Sequence, residues 1–221
     1  MKPCGIFGGT FDPIHYGHLR SAFELLQALD LSEVRFVPSS DPPHRGTTFA
    51  EPQLRLRMVE VAVAGQEGFV VDDREFGRDG PSYTVDTLQS MRAEHADGSL
   101  CLIVGMDAYL GLTSWHRWDE ILDLAHIIVA HRPGWKTPQT GDLGALMAAH
   151  GTGDVADLHA KTHGHVYDHA VTQLEIASTE IRDLIRAGRD PRFLMPDAVR
   201  DVILESKCYS TREPAPAGDS P

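Results

Sequence analysis

The residues best suited to do chemistry lie near the start, in Gly8-Gly9-Thr10-Phe11-Asp12-Pro13-Ile14-His15-Tyr16-Gly17-His18. Glycines let a ligand approach the backbone closely. A helical apolar pattern begins at about Gly17, so the run ends on a helix start. Unpaired N–H groups and the dipole at such a start favour phosphate. His15 and His18 are three apart and can share one face there, where their N–H groups could donate to a triphosphate. The pair alone fits two other roles. It could belong to a metal site, although no third ligand is near in sequence, or it could simply cap the helix. Neither a Walker lysine motif nor GxGxxG is present.

The elements that must position this run alternate. Ile6 and Phe7 open a short strand ending in Gly8-Gly9. A helix follows, with Leu19, Ala22, Phe23, Leu26 and Leu29 at helical spacing. Val34–Val37 reads as a second strand, stopped by Pro38, and a helix is predicted near Pro52–Ala64. Phe69–Val71 is a third strand, and Val85, Leu88 and Met91 mark the next helix. Leu100–Val104 and Ile127–Ala130 are continuous apolar runs, as expected of strands buried on both faces. Trp115–Leu124 reads as a helix, with Trp118 three positions beyond Trp115 and suited to the core. Leu143–His150 is another helix, and the His-bearing stretch after it reads as a surface loop. Val171–Ile176 alternates as a last strand. Helices at Ser178–Ala187 and Pro196–Glu205 complete the order. This alternation predicts an α/β fold: a single doubly wound, mostly parallel sheet with helices on both faces. Ligands in such folds bind at the carboxyl ends of the strands, near the switch in strand order.

Composition narrows the classes. The chain has 221 residues, 42% of them hydrophobic and 24% charged, which suits one globular α/β domain. No apolar run approaches the ~20 residues of a membrane span, and the glycine-broken N-terminus is not a signal peptide. The net charge of −12 argues against nucleic acid as the partner. The three cysteines form no CxxC and read as buried free thiols, which fits a reducing cytoplasm.

Further polar segments recur after the strands: Pro42-Pro43-His44-Arg45, Pro81-Ser82-Tyr83-Thr84, Gly105-Met106-Asp107, Trp115, His131-Arg132-Pro133-Gly134 and Ile176-Ala177-Ser178-Thr179-Glu180-Ile181-Arg182. With GGTFDPIHYGH, whose His15-Tyr16-Gly17-His18 matches an HxGH signature, they resemble the bacterial nicotinate-nucleotide adenylyltransferases of the nucleotidylyltransferase superfamily. The likeness runs from Gly5 to about Tyr209. The sequence departs from the family in Ala177, where a serine is frequent, and in His116 and Met106, where a tyrosine and a polar residue are common.

The resemblance implies a Rossmann-like nucleotidylyltransferase domain over 1–209, with 210–221 a disordered tail. It implies transfer of AMP from ATP to nicotinate mononucleotide, with Mg²⁺ bound with the ATP. His15, His18 and Arg182 would be catalytic donors. Gly8, Gly9, Thr10, Phe11, Gly105, Asp107, Ser178 and Thr179 would join them around ATP. His44, Arg45, Tyr83, Thr84, Trp115 and Arg132 would meet the mononucleotide. No protein-built metal site is implied, and self-association is left open. Two alternatives stay open: another adenylyl or cytidylyl transfer of the superfamily, and a non-catalytic nucleotide- or metal-binding protein using its twelve histidines.

Overall fold

A computed structural model describes residues 1–42, 48–172 and 174–210. They form a seven-stranded, all-parallel sheet in the order β3-β2-β1-β4-β5-β7-β6. The strands are β1 Cys4–Gly9, β2 Glu33–Pro38, β3 Phe69–Val71, β4 Leu100–Gly105, β5 His126–His131, β6 Gly151–Thr152 and β7 Val166–Ala170. The helices are α1 Tyr16–Ala28, α2 Pro52–Val63, α3 Thr84–Glu94, α4 Met106–Leu110, α5 Ile121–Leu124, α6 Gly141–His150, α7 Val155–Ala160, α8 Ser178–Arg186 and α9 Asp197–Ser206. The expected tail lies outside the described residues from residue 211 onward.

Side-chain alternation along the central strands makes two cores. Cys101 and Ile103 of β4, with Ile128 and Ala130 of β5, face α1, α2, α8 and α9. Leu100, Leu102, Val104, Ile127 and Val129 face α3, α4, α5 and α6. A strand with helices on both sides needs apolar residues at every position, which is why these two runs were legible. Gly5 of β1 serves close packing: a Cβ there would lie 2.9 Å from Ile103 Cδ1.

Three expectations are corrected. The last strand is Val166–Ala170, paired with β5, and Val171, Thr172 and Leu174–Ile176 belong to no strand. Only Val166 of β7 is fully buried, so the strand carries little apolar signal. Trp115–Leu124 is not one helix. Trp115 is extended, Arg117 is left-handed with φ 50°, and a 3-10 turn at Trp118–Glu120 leads into α5. Successive short turns imitate the apolar spacing of a helix. Both tryptophans are half-buried against the same core. Finally, the His-bearing stretch is not a loop but carries β6, α7 and β7.

One buried carboxylate ties the chain together. Asp12 lies in the loop after β1 and is 5% exposed. It accepts from the Phe49 and Ala50 backbone N–H groups and, at 2.6 Å, from the Tyr209 hydroxyl. Tyr209 is itself buried just beyond α9. A hydrogen bond to a charged acceptor contributes about 1.5–3 kcal/mol. Tyr209→Phe is therefore expected to lower unfolding free energy by about that much in urea titrations. Lys2→Ala, which breaks a pair exposed on both sides, should leave the urea midpoint close to that of wild type.

Candidate functional site

β1 and β4 are neighbours, with β2 and β3 on one side and β5, β7 and β6 on the other. The order reverses here, and the carboxyl ends of these two strands open into a cleft of about 400 Å³. Gly8, Gly9, Thr10, Gly105, Asp107, Tyr83, Thr84 and Trp115 all line it. Gly8 and Gly105 have open space where a Cβ would stand, so the strand ends leave their main chain accessible.

Helix α3 begins at the cleft. Its N-cap is Tyr83, and no side chain caps it. The Tyr83 ring lies 4.3 Å from that of His116. Asp107 stands in the first turn of α4 and makes no cap bond. Met106 beside it is buried core.

A second cluster forms around the Asp12–His18 loop. The His15 and His18 rings stack with centroids 3.8 Å apart. His15 is the N-cap of α1, its Nδ1 accepting from the Gly17 N–H, while His18 Nδ1 accepts from the His15 N–H. This reciprocal cap uses Nδ1 of each ring as an acceptor and leaves Nε2 of each to carry the ring proton. The spacing of the motif has a steric reason. A Cβ on Gly17 would lie 2.9 Å from the His15 ring, so only glycine lets His15 fold back onto that N–H. Likewise a Cβ on Gly9 would meet the Phe11 ring at 2.9 Å. Phe11 holds a left-handed φ of 48° and is buried beside Phe7, Phe36 and His18.

The helix start is not an exposed one: His15 is only 5% exposed. Burial holds its imidazole neutral, with a pKa down at about 4. Helix α8 docks on the same loop. Ser178 Oγ donates to the Pro13 carbonyl, and Arg182 Nη1 donates to the Asp12 carbonyl at 2.6 Å. Arg182 Nη2 donates to Thr179 Oγ1. Ala177, the N-cap, gives no side-chain bond, so the hydroxyls engaged here are those of Ser178 and Thr179.

Two residues fell outside the sequence reading. Arg55 is wholly buried and donates to the carbonyls of Thr10, Ser39 and Ser40, bracing the loops after β1 and β2. Asp12 was quoted within the motif but given no role. Nothing local marks either residue, since their partners, backbone groups and the Tyr209 hydroxyl, are distant in sequence. Arg132, expected with the mononucleotide, lies outside the cleft lining, as do Phe11, His15, His18, Ser178, Thr179 and Arg182. Arg132 is exposed, and it pairs with Glu175 at 2.6 Å. Its strand, β5, lies one place beyond β4, away from β1. His44 and Arg45 fall outside the described residues. Among the described residues, no group of three or more His, Cys, Asp or Glu side chains could hold a metal ion, and no helix is long and apolar enough to cross a membrane.

The Cytidylyltransferase-like family model matches residues 6–184. The probable nicotinate-nucleotide adenylyltransferase of Aeromonas hydrophila is 48% identical over 94% of this chain and 97% of its own. That of Methylococcus capsulatus is 49% identical over 93% and 99%. The chain belongs to the nicotinate-nucleotide adenylyltransferase family. Among solved structures, the fold of this family member is similar to that of Plasmodium falciparum nicotinic acid mononucleotide adenylyltransferase complexed with NaAD. The TM-score is 0.70 at 18% identity, covering 95% of this chain and 98% of that one.

The buried histidine predicts acid sensitivity. The folded-state pKa of His15, about 4, lies below the ordinary value near 6.5. The unfolded chain therefore binds the proton first. This stabilisation is complete above pH 6.5 and is lost as pH falls towards 4. His126, buried and also near 4, acts in the same direction. Urea midpoints should fall across that window. His15→Asn, which keeps a capping acceptor, should make the fall shallower.

Proposed function

We propose that this chain transfers AMP from ATP to nicotinate mononucleotide, giving nicotinate adenine dinucleotide and pyrophosphate. The observation that carries this reading is the cleft itself. An uncapped helix start at Tyr83-Thr84 and the flat ring of Trp115 share it with the glycine-lined end of β1. A helix start suits a carboxylate, an indole suits a pyridine ring, and bare main chain suits close approach of phosphate.

The reaction needs no enzyme nucleophile, because the mononucleotide phosphate is already an anion. One of its oxygens attacks the α-phosphorus of ATP, and the bond to pyrophosphate breaks. The protein must align two polyanions and stabilise the charge that develops. In this reading His15 and His18 donate through Nε2–H, joined by Thr10, Thr179 and Arg182, while Ser178, whose hydroxyl donates to the Pro13 carbonyl, would contribute its main-chain N–H at the start of α8. Gly8, Gly9 and the main chain of Phe11 border the phosphates. Gly105 and Asp107 meet a ribose at the end of β4, while Trp115 stacks on the pyridine ring. His44 and Arg45 keep their assignment to the mononucleotide by resemblance alone.

Mg²⁺ bound with ATP would supply charge neutralisation on the phosphate oxygens. A neutral His15 is compatible with a neighbouring dication, which an imidazolium would repel. The Asp12 carboxylate is already engaged by three donors, so phosphate oxygens and water would be the ion's ligands. Residues 1–209 are read as one domain working in the cytoplasm on these two small molecules. The net charge of −12 speaks against nucleic acid or an anionic membrane surface as partner, and self-association is compatible with the reading.

His18→Ala is expected to lower turnover by roughly 10²–10³-fold, the scale for losing one transition-state donor. Wild-type turnover in a folded variant would remove the role. Substrate choice tests the cleft. Nicotinamide mononucleotide lacks the carboxylate and forgoes a charge-assisted bond of about 1.5–3 kcal/mol. The nicotinate form should therefore be preferred by at least roughly tenfold in kcat/KM. Thr84→Pro keeps a first helical position tolerant of proline but deletes one N–H, so it should narrow that preference. Trp115→Ala should weaken both substrates alike. Pyrophosphate release with each mononucleotide measures all three, and equal efficiencies in the wild type would reject the carboxylate assignment.

A further inference from the structure

Phe49 closes a three-sided arrangement that the reaction scheme above does not use. Its backbone N–H donates to the Asp12 carboxylate. The Asp12 carbonyl accepts from Arg182, and the guanidinium of Arg182 lies 4.5 Å from the centroid of the Phe49 ring. The guanidinium of Arg186, one turn further along α8, lies 4.4 Å from the same centroid. The ring itself is 53% exposed. An aromatic side chain at the surface is thus held in place by its own main chain, with two cations gathered on it.

Two guanidiniums on one ring repel each other, and a polyanion relieves that repulsion. Arg186 is partly offset by Asp183 at 2.9 Å. Arg182 has Asp12 and Thr179 on its two terminal nitrogens, while its buried Nε has no partner. Hydrogen bonds hold the terminal nitrogens of Arg182, and its guanidinium carbon rests over the Phe49 ring. An unrestrained arginine carries substantial rotamer entropy, which a phosphate ligand would have to overcome.

We infer that Phe49 is a positioning residue: it holds Arg182 and Arg186 as a paired cationic site for the polyphosphate of ATP. The inference rests on the assignment of Arg182 to ATP made above. It adds Arg186 as a second contact and a loop residue that sets the geometry of both. Phe49 does not itself touch the substrate. Its loss should therefore act on ATP affinity and leave the mononucleotide untouched.

The test uses the full chain in five forms: wild type, Phe49→Ala, Phe49→Leu, Phe49→Tyr and Arg182→Ala. Steady-state KM for each substrate is measured, together with calorimetric binding of inorganic tripolyphosphate. Leucine retains apolar bulk but has no ring face, whereas tyrosine retains the face. A cation–π hold of this kind predicts a roughly 2- to 30-fold rise in KM for ATP and in tripolyphosphate Kd for the alanine and leucine variants. Tyrosine should restore both to within about twofold of wild type, and KM for nicotinate mononucleotide should change by less than about twofold throughout. If the alanine variant fails to fold, the leucine–tyrosine comparison decides. Wild-type polyphosphate affinity in the leucine variant, with Arg182→Ala weakened, overturns the role of Phe49 alone. Unchanged affinity in Arg182→Ala overturns the polyphosphate assignment of Arg182 and the inference with it.

Discussion

The buried carboxylate of Asp12 is the interaction on which the site's geometry depends. Removing a carboxylate from water costs several kcal/mol unless its lone pairs are met. Here two backbone N–H groups and a phenol meet them, and they come from residues 49, 50 and 209. Satisfying one side chain therefore draws together the loop after β1, the segment before α2 and the end of the chain. Its main-chain carbonyl adds α8 through Arg182. Burial, together with this carboxylate, keeps the Tyr209 hydroxyl protonated far into the alkaline range, so it remains a donor there.

Arg55 is the counterpart on the other side of the same loop. It is fully buried, and it takes the carbonyls that follow β1 and β2 as acceptors. Burial lowers its pKa, while the Asp12 charge, first among the opposing influences, raises it. A cation and an anion in the protein interior thus brace one short loop. Above this braced loop the cleft lining includes Gly8 and Gly105, whose main chain has open space where a Cβ would stand. Rigid support beneath a bare backbone is what close approach of a phosphate requires.

The same economy of charge appears at the histidines. In the proposed reaction a chain of net charge −12 would bind two polyanions through local donors, because salt screens the long-range field beyond about 8–10 Å. In that reading His15 would supply such a donor without becoming an imidazolium. Burial disfavours its charged form, and the cap on α1 occupies its Nδ1. A neutral imidazole with a fixed tautomer presents its N–H in one direction. Pre-orientation of this kind lowers the reorganisation needed as charge develops in the transition state.

By itself, the sequence determined the alternation of elements, the parallel α/β sheet and the motif run from Gly8 to His18. Continuous apolar runs such as Leu100–Val104 and the spacing of His15, Gly17 and His18 are local signals, and local signals survive without coordinates. It also determined the family, because long motifs recur in order along nearly the whole chain. Only the tertiary structure decided which of these residues meet. It placed Tyr83, Thr84 and Trp115 in one cleft with Gly8, Gly9 and Thr10, and it set Arg132 apart on the far side of β4. It moved the last central strand to Val166–Ala170, whose pairing with β5 outweighs its weak apolar pattern. Asp12, Arg55 and Phe49 became legible only there. Their partners lie between 15 and 197 positions away, and no sequence period encodes a contact that chain closure alone creates.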